Sequence, residues 1–538
     1  MKKIFSKAFL TGATAVIIYL MVLNFILHLV TSGQYGLFYD EYYYFSMSSH
    51  LALGYLDAPP VTGLLMAASR LLMGDSILAM HVFPAVAGSF AMLFAALTAR
   101  KMGGGRFAQA LTAIAVMLAP VFMTFSGMFT YDAFDQLMSA MLIFMVAKII
   151  KGQAAPRTWI LLGFIAGIGL EIKITMGFLL ICLVIGLLLT RARKYLASKW
   201  FWLSVAIAAA CMVPYIIWQA TNGFPIVEYL SAYREARTVS PSAIDLFQYV
   251  FVVMNPASVL LWMGGLVLLF TKRGRTFRPF AWAFLAYFTL AAILSVRFYA
   301  LAGVLLPLVA FGSVCLEMNY RNAPLPLEST DSVPQLPSKN KGKSAWTLKV
   351  AYLVVICLFG AALTPLSIPL LPPKETAEYN DAVGYSKSVV WDIIPFTGIP
   401  TFFAGRLGWD ELAQSVSEAY HSLPEEDQKD CSIYCSLYGA VGTMDFYGKK
   451  YGLPQAISAN LGCYYWGYDG FDGKCVLFVS TGATSSWELA TYFEDVHAVS
   501  GSSGVPYSTL SLVDRSTYIC RGLKILVDDF WKAMRGST

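Results

Sequence analysis

Asp40 and Glu41 stand side by side in FYDEYYYFSM, among Tyr39, Tyr42, Tyr43 and Tyr44. Adjacent carboxylates ringed by phenols can take up a proton, hold a cation or accept hydrogen bonds from a hydroxylated ligand. Four more stretches carry residues of this kind. GYLDAPP has Asp57 ahead of Pro59 and Pro60, MFTYDAFDQ has Asp132 and Asp135, GLEIKITMG has Glu171 and Lys173, and SVRFYAL has Arg297 and Tyr299. Together they offer carboxylates as base or metal ligand and cations to hold an anion. Each also has a plainer reading. Tyrosines form interfacial belts, an Asp caps a helix start, paired prolines stop a helix, and Glu171 with Lys173 can be a local ion pair or a snorkelling lysine.

The elements that must position these residues are membrane helices. Of 538 residues 57% are hydrophobic and 13% charged, with a mean hydropathy of +0.59. A soluble domain carries about 25% charged residues, so an ordinary cytosolic globule, a disordered chain and a coiled coil are excluded. The net charge of +6 is no nucleic-acid footprint. A span needs about 20 apolar residues. Such runs occur near 8–30, 77–99, 107–126, 133–150, 158–171, 174–190, 200–219, 249–270, 279–295, 298–316 and 348–368, which predicts about 11 transmembrane helices. The first run follows a basic MKKIFSK but is too long for a signal peptide and lacks an A-x-A site, so it reads as an anchor.

Charge orients the bundle. With the N-terminus inside, the inner segments hold 22 Lys and Arg, against five in the outer loops: Arg70, Lys173, Arg234, Arg237 and Arg297. Acidic residues run the other way, ten in the outer loops and three inside. All five chemistry-bearing stretches therefore fall at the outer surface.

The chain changes character after residue 370, where Pro365, Pro369, Pro372 and Pro373 mark the exit. Residues 1–370 are expected to form the membrane domain and 371–538 a soluble α/β domain on the outer face. WDELAQSVSEAYHSL has helical apolar spacing, CSIYCSL and KCVLFVST read as buried strands, and SSWELATYFEDVHAV reads as a helix. Five of the nine cysteines lie here, in a compartment that permits disulfides, and Cys463 and Cys475 flank an expected hairpin and could pair.

These residues resemble a family, the bacterial protein-O-mannosyltransferase-like glycosyltransferases of the polytopic GT-C type. DEYYY with GYLDAPP is similar to their first outer loop, TYDA to their T-D-A turn and IKIT to their S-K-Y-T segment. PYIIWQATNGFP and VRFYALAGVLLP resemble two later motifs. YGAVGTMDFYGKKYGLPQAIS and YYWGY resemble motifs of the soluble part. The sequence departs at Ala58, where His or Lys is common, at Ile172 in place of Ser, and at Arg297 in place of Lys. The resemblance implies an inverting transfer of sugar from a polyprenyl-phosphate donor to a lipid, glycan or protein acceptor, on the outer side of the cytoplasmic membrane.

The residues suit that chemistry. Phosphate departs as a stable anion, so the needs are a base for the acceptor hydroxyl and positive charge for the phosphate. Asp40 is the candidate base. Asp132 orients the acceptor or helps hold a divalent metal, for which Asp40 and Asp132 are the candidate ligands. Lys173 and Arg297 stabilise phosphate, with Tyr299 beside them. Glu41, Asp57 and Tyr43 position the substrate. Two other classes fit a polytopic chain: a transporter, which would place charges and broken helices at mid-bilayer, and a non-catalytic glycolipid-binding protein.

Overall fold

The computed structural model describes residues 12–235, 242–318, 343–385, 397–468, 470–482, 484–501, 504–512 and 515–535. The basic residues 1–7, the first positions of the leading apolar run, Arg237 and most of the 317–347 connection lie outside these residues. The chain divides into two compact units. One comprises Met1–Thr31, His81–Pro214 and Val239–Leu370, the other Ser32–Met80, Tyr215–Thr238 and Leu371–Thr538.

The first unit is helical. Among the described residues, Thr14–Thr31, Ile77–Lys101, Tyr131–Ile150, Lys199–Thr221, Phe298–Glu317 and Trp346–Leu366 are long and apolar enough to cross a bilayer. Three bent pairs, Arg106–Met117 with Pro120–Ser126, Met176–Leu188 with Arg191–Ala197, and Ala243–Val253 with Pro256–Leu269, raise the number to nine. Pro156–Ile172 and Arg278–Leu294, 17 residues each, occupy the other two expected positions.

The 104° bend after Val253 has a local cause. Asn255 takes a left-handed backbone (φ 66°), its carboxamide accepts the Ala257 N–H at 3.1 Å and donates to the Ile356 carbonyl at 3.1 Å, and Pro256 has no N–H with which to continue the helix. Glycine permits close helix contact. A Cβ on Gly265 would lie 2.1 Å from the Leu308 carbonyl oxygen, and one on Gly312 would lie 2.1 Å from that of Leu261. The Val259–Leu269 and Ala302–Glu317 helices thus pack backbone to backbone, as small residues allow in membranes.

The second unit is built on a five-stranded mixed sheet of order β2-β1-β3-β5-β4. Its strands are β1 (Cys431–Cys435), β2 (Ala456–Ile457), β3 (Cys475–Thr481), β4 (Phe493–Gly501) and β5 (Arg515–Leu523). β1 runs parallel to β2 and β3, while β5 is antiparallel to β3 and β4. Every residue of β3 is buried, as the uninterrupted apolar run KCVLFVST implies for a covered central strand. Val527–Arg535 presses Phe530 and Trp531 onto this sheet. Trp409–His421 buries Trp409, Leu412, Ala413, Val416, Ala419 and Tyr420, the face its spacing assigns.

Three expectations for this part of the chain are corrected. SSWELATYFEDVHAV is helical only over Ser486–Tyr492 and continues as β4, because Phe493 onward pairs with β5. Cys475 is bonded to Cys431, its direct partner across β1 and β3 with the Cα atoms 4.5 Å apart, and Cys463 is a buried free thiol. Cys463 lies in the 3-10 turn Leu461–Trp466 and flanks no hairpin.

The stretch expected to be a plain outer loop forms two helices, Tyr39–Ser49 and Val61–Met73. Pro59 and Pro60 do not stop a helix, since Pro60 caps the start of Val61–Met73, where a missing N–H costs nothing. Tyr39–Ser49 lies against Tyr438–Tyr451 at two glycines. A Cβ on Gly442 would sit 2.1 Å from the Tyr42 carbonyl oxygen, and one on Gly439 would sit 3.1 Å from the Tyr39 Cβ. Gly442→Ala should therefore destabilise this unit by about 1–3 kcal/mol through overpacking. Gly482→Ala, where a Cβ meets nothing within 4 Å, should be neutral. Thermal unfolding of the detergent-solubilised protein compares the two, and equal midpoints would refute the contact's importance.

Candidate functional site

The first group of candidate residues lies in the Ser32–Met80 part of the second unit. Asp40 and Glu41 occupy the first turn of Tyr39–Ser49, where carboxylates complement the helix dipole. Their neighbours separate their roles. Glu41 is fully buried, accepts the Phe38 N–H at 2.8 Å in the manner of a capping box, and acts electrostatically on the buried guanidinium of Arg406. Half-buried Asp40 accepts a hydrogen bond from the Tyr438 hydroxyl, 2.8 Å from its Oδ1. Burial first, and then the nearby Asp40 carboxylate, push the Tyr438 phenol well above its ordinary range, so it stays protonated and donates.

Asp57 repeats the arrangement. The buried Tyr43 hydroxyl donates to its Oδ1 at 2.8 Å and accepts the Gly462 N–H at 3.0 Å. The Tyr43 ring lies 5.0 Å from that of Tyr438 and stacks on Trp466 at 5.9 Å. A third carboxylate, Asp445, accepts from the Ser46 hydroxyl, and burial raises its value against the pull of His50 and Arg70. Arg70 is engaged by Asp75 at 2.7 Å and by the Ser48 and Ser49 hydroxyls, and it covers the Phe45 ring at 3.7 Å.

The second group lies in the first unit. Lys173 follows the last residue of Pro156–Ile172, and its Nζ meets Asp132 Oδ1 at 2.5 Å. The side chains are only 13% and 9% exposed, a buried pair whose disruption leaves a charge uncompensated. Lys173 Nζ also faces the rings of Tyr131 and Tyr299, 4.7 and 4.9 Å from their centroids. Arg297 donates to the Tyr299 hydroxyl at 3.2 Å from the turn ahead of Phe298–Leu301. Asp132 is not the cap of its helix; Thr130 holds that position. Glu171 makes no ion pair with Lys173, which has turned to Asp132; it is buried, with Oε1 unbonded, and acts on Cys211.

Asp135, noted beside Asp132 in the sequence but given no role there, stands one turn after it, within electrostatic reach of it and of Lys173, with a buried Oδ1 that has no hydrogen-bond partner. Other residues of these groups were not singled out from sequence. Tyr438, Asn460 and Gly462 are far from residues 40–57 in sequence; the resemblance of YGAVG and its neighbours to a motif pointed to Tyr438, and nothing in the sequence pointed to Asn460 or Gly462. Among the described residues no three His, Cys, Asp or Glu side chains gather as a metal site.

This architecture is the GT-C fold of polytopic membrane glycosyltransferases, with a small sheet domain towards the C-terminus. The chain is similar over 94% of its length to ArnT from Cupriavidus metallidurans bound to undecaprenyl phosphate, covering 98% of that chain with a TM-score of 0.61 at 14% identity. The apo state of the same ArnT gives 0.59 at the same identity and coverage. Residues 57–218 match the model of the dolichyl-phosphate-mannose-protein mannosyltransferase family. No curated protein matches the chain. The protein is thus a multi-pass membrane protein of GT-C architecture.

Burial lifts the Asp57 carboxyl from 3.8 to about 6, although the Tyr43 hydrogen bond pulls it down. The native state therefore holds this proton more tightly than the unfolded chain. The stability so contributed is complete below 3.8 and lost as pH rises through about 6. Asp57→Asn should remove that loss, raising the unfolding midpoint relative to the parent at about pH 8 but not at about pH 4. Tryptophan-monitored melts across pH check this, and a pH-independent difference would contradict it.

Proposed function

We propose that the protein is an integral-membrane glycosyltransferase. It moves a sugar from a polyprenyl-phosphate donor to a lipid, glycan or protein acceptor on the outer side of the cytoplasmic membrane, with residues 371–538 on that side. The observation that carries this reading is the family match over 57–218, the stretch that holds Asp57, Asp132, Asp135 and Lys173. The GT-C fold supports it as analogy, since one fold can host several activities.

The chemistry divides between the two groups of residues. Asp40 accepts the proton of an acceptor hydroxyl as that oxygen bonds to the anomeric carbon. The carbon–oxygen bond to phosphate breaks on the opposite face of the sugar, which inverts the centre. Polyprenyl phosphate leaves with the electron pair. Lys173, a point charge, and Arg297, able to grip two oxygens, offset the charge that develops on it. Asp57, hydrogen-bonded by Tyr43, and Glu41, fixed at its helix start, shape the surroundings of Asp40. No proton has to be supplied to the leaving group, because phosphate is stable as an anion.

Vesicles carrying the purified protein, labelled polyprenyl-phosphate pentoses and hexoses, and total envelope lipid and glycan as acceptor test the reading. The expected result is labelled product with release of polyprenyl phosphate for one sugar. Asp40→Asn should cut turnover by about 100-fold or more while the protein still folds and inserts. Lys173→Gln should weaken the donor's apparent affinity and slow transfer. Labelled donor crossing the vesicle membrane without product would favour a transporter. Retention of donor without product would favour a binding protein.

A further inference from the structure

The base assignment singles out Asp40 from the first outer segment, yet its donor comes from a residue 398 positions away. Tyr438 opens the Tyr438–Tyr451 helix, directly before the glycines that admit the backbone of Tyr39–Ser49. Its hydroxyl is tied to Asp40, its ring packs near those of Tyr39 and Tyr43 at 6.2 and 5.0 Å, and its N–H is held by Asn460 Oδ1 at 3.1 Å. Two residues on, the Gly462 N–H holds the Tyr43 hydroxyl, which serves Asp57. The short 460–462 stretch thus braces both phenols that donate to acids of the first outer segment. Leu461 between them takes a left-handed backbone, φ 49°, which turns the side chain of Asn460 and the N–H of Gly462 onto separate tyrosines.

We infer that Tyr438, braced by Asn460, is a positioning residue of the transfer reaction: its hydroxyl fixes the Asp40 carboxylate in orientation and charge state, so the C-terminal part of the chain completes the base. This rests on Asp40 being the base. A phenol that donates to one carboxylate oxygen restricts the rotation of the group and fixes where its oxygens point. It also favours the ionised form, the form a base must have before it can accept a proton. A buried phenol suits this task because burial, and then the neighbouring carboxylate, push its ionisation well above the ordinary range and leave it a donor. The conformation of the C-terminal part would therefore set the activity of the membrane-proximal acid, with no chemistry of its own.

The test is the pH dependence of kcat/KM for transfer from the labelled donor identified above, measured for the full-length protein in vesicles. Tyr438→Phe keeps the ring and its packing but removes the donor. Its acid limb should move up by about one pH unit, with turnover on that limb about tenfold lower and the KM for donor unchanged. Asn460→Ala should move the limb the same way by less. Replacing Tyr438 with 3-fluorotyrosine, a stronger donor of nearly the same shape, should move the limb down. A merely structural tyrosine would leave the inflection where it was in all three. Parental pH profiles in Tyr438→Phe and the fluorinated protein, with Asp40→Asn inactive, would overturn this inference while leaving the base assignment intact. Parental turnover in Asp40→Asn would overturn both.

Discussion

The second unit depends on one steric constraint, the approach of Tyr39–Ser49 to Tyr438–Tyr451 at Gly439 and Gly442. No side chain fits between the Gly442 Cα and the Tyr42 carbonyl. That closeness brings phenols and carboxylates of the two helices within bonding distance: Tyr438 to Asp40, Ser46 to Asp445, Tyr42 to Tyr447. It also buries residues 41 to 47, so that a tyrosine-rich segment with weak helix propensity is helical because its surroundings require it. Tertiary contact overrides local preference here, and the gain is a set of donors and acceptors fixed before any ligand arrives.

Local packing within each unit sorts the acidic residues of the expected outer loops by role. Asp75 is spent on Arg70, Glu228 on Arg535, and Asp245 caps its helix with Ser242. Exposed pairs of this kind add little stability and serve to hold segments in place. Glu41 is committed to the Phe38 N–H and to the field of Arg406. Asp40, Asp57, Asp132, Asp135 and Glu171 are buried or half-buried. Burying a carboxylate is costly unless its site gives something back, so these five positions carry more information than the remaining acids of those loops.

Much of this was legible in the sequence because membranes impose simple rules. Apolar run length predicted where helix would occur, and helix occupies each of those positions. The breaks were less legible, since they turn on single residues such as Asn255. In the C-terminal part, KCVLFVST read correctly as a buried strand, whereas β4 was hidden in a stretch whose apolar spacing fits a helix equally well. The disulfide partner of Cys475 depends on strand order, which spacing does not encode. Of the candidate residues, Asp132, Lys173, Arg297 and Tyr299 were found as separate motifs and lie together in one unit. That Glu41 is a cap and Asp40 the acceptor of a remote phenol could not be read from two adjacent letters. Neighbouring helix residues point about 100° apart, and only the partners say which way each one faces.

The Lys173–Asp132 pair has a consequence for how a phosphate could be handled. A lysine already compensated by a carboxylate at 2.5 Å is available to another anion only by exchange, so its net attraction is a difference between two partners. If the donor is a polyprenyl-phosphate sugar that meets Lys173 as proposed, its phosphodiester carries one negative charge, and the departing phosphate gains a second as the sugar leaves. Competition from Asp132, reinforced by the field of Asp135, weakens the hold on the singly charged ground state more, in proportion, than the hold on the more highly charged leaving group. Positive charge that is contested at rest and claimed only as the phosphate develops its charge acts on the transition state rather than on binding, which is where it raises the rate.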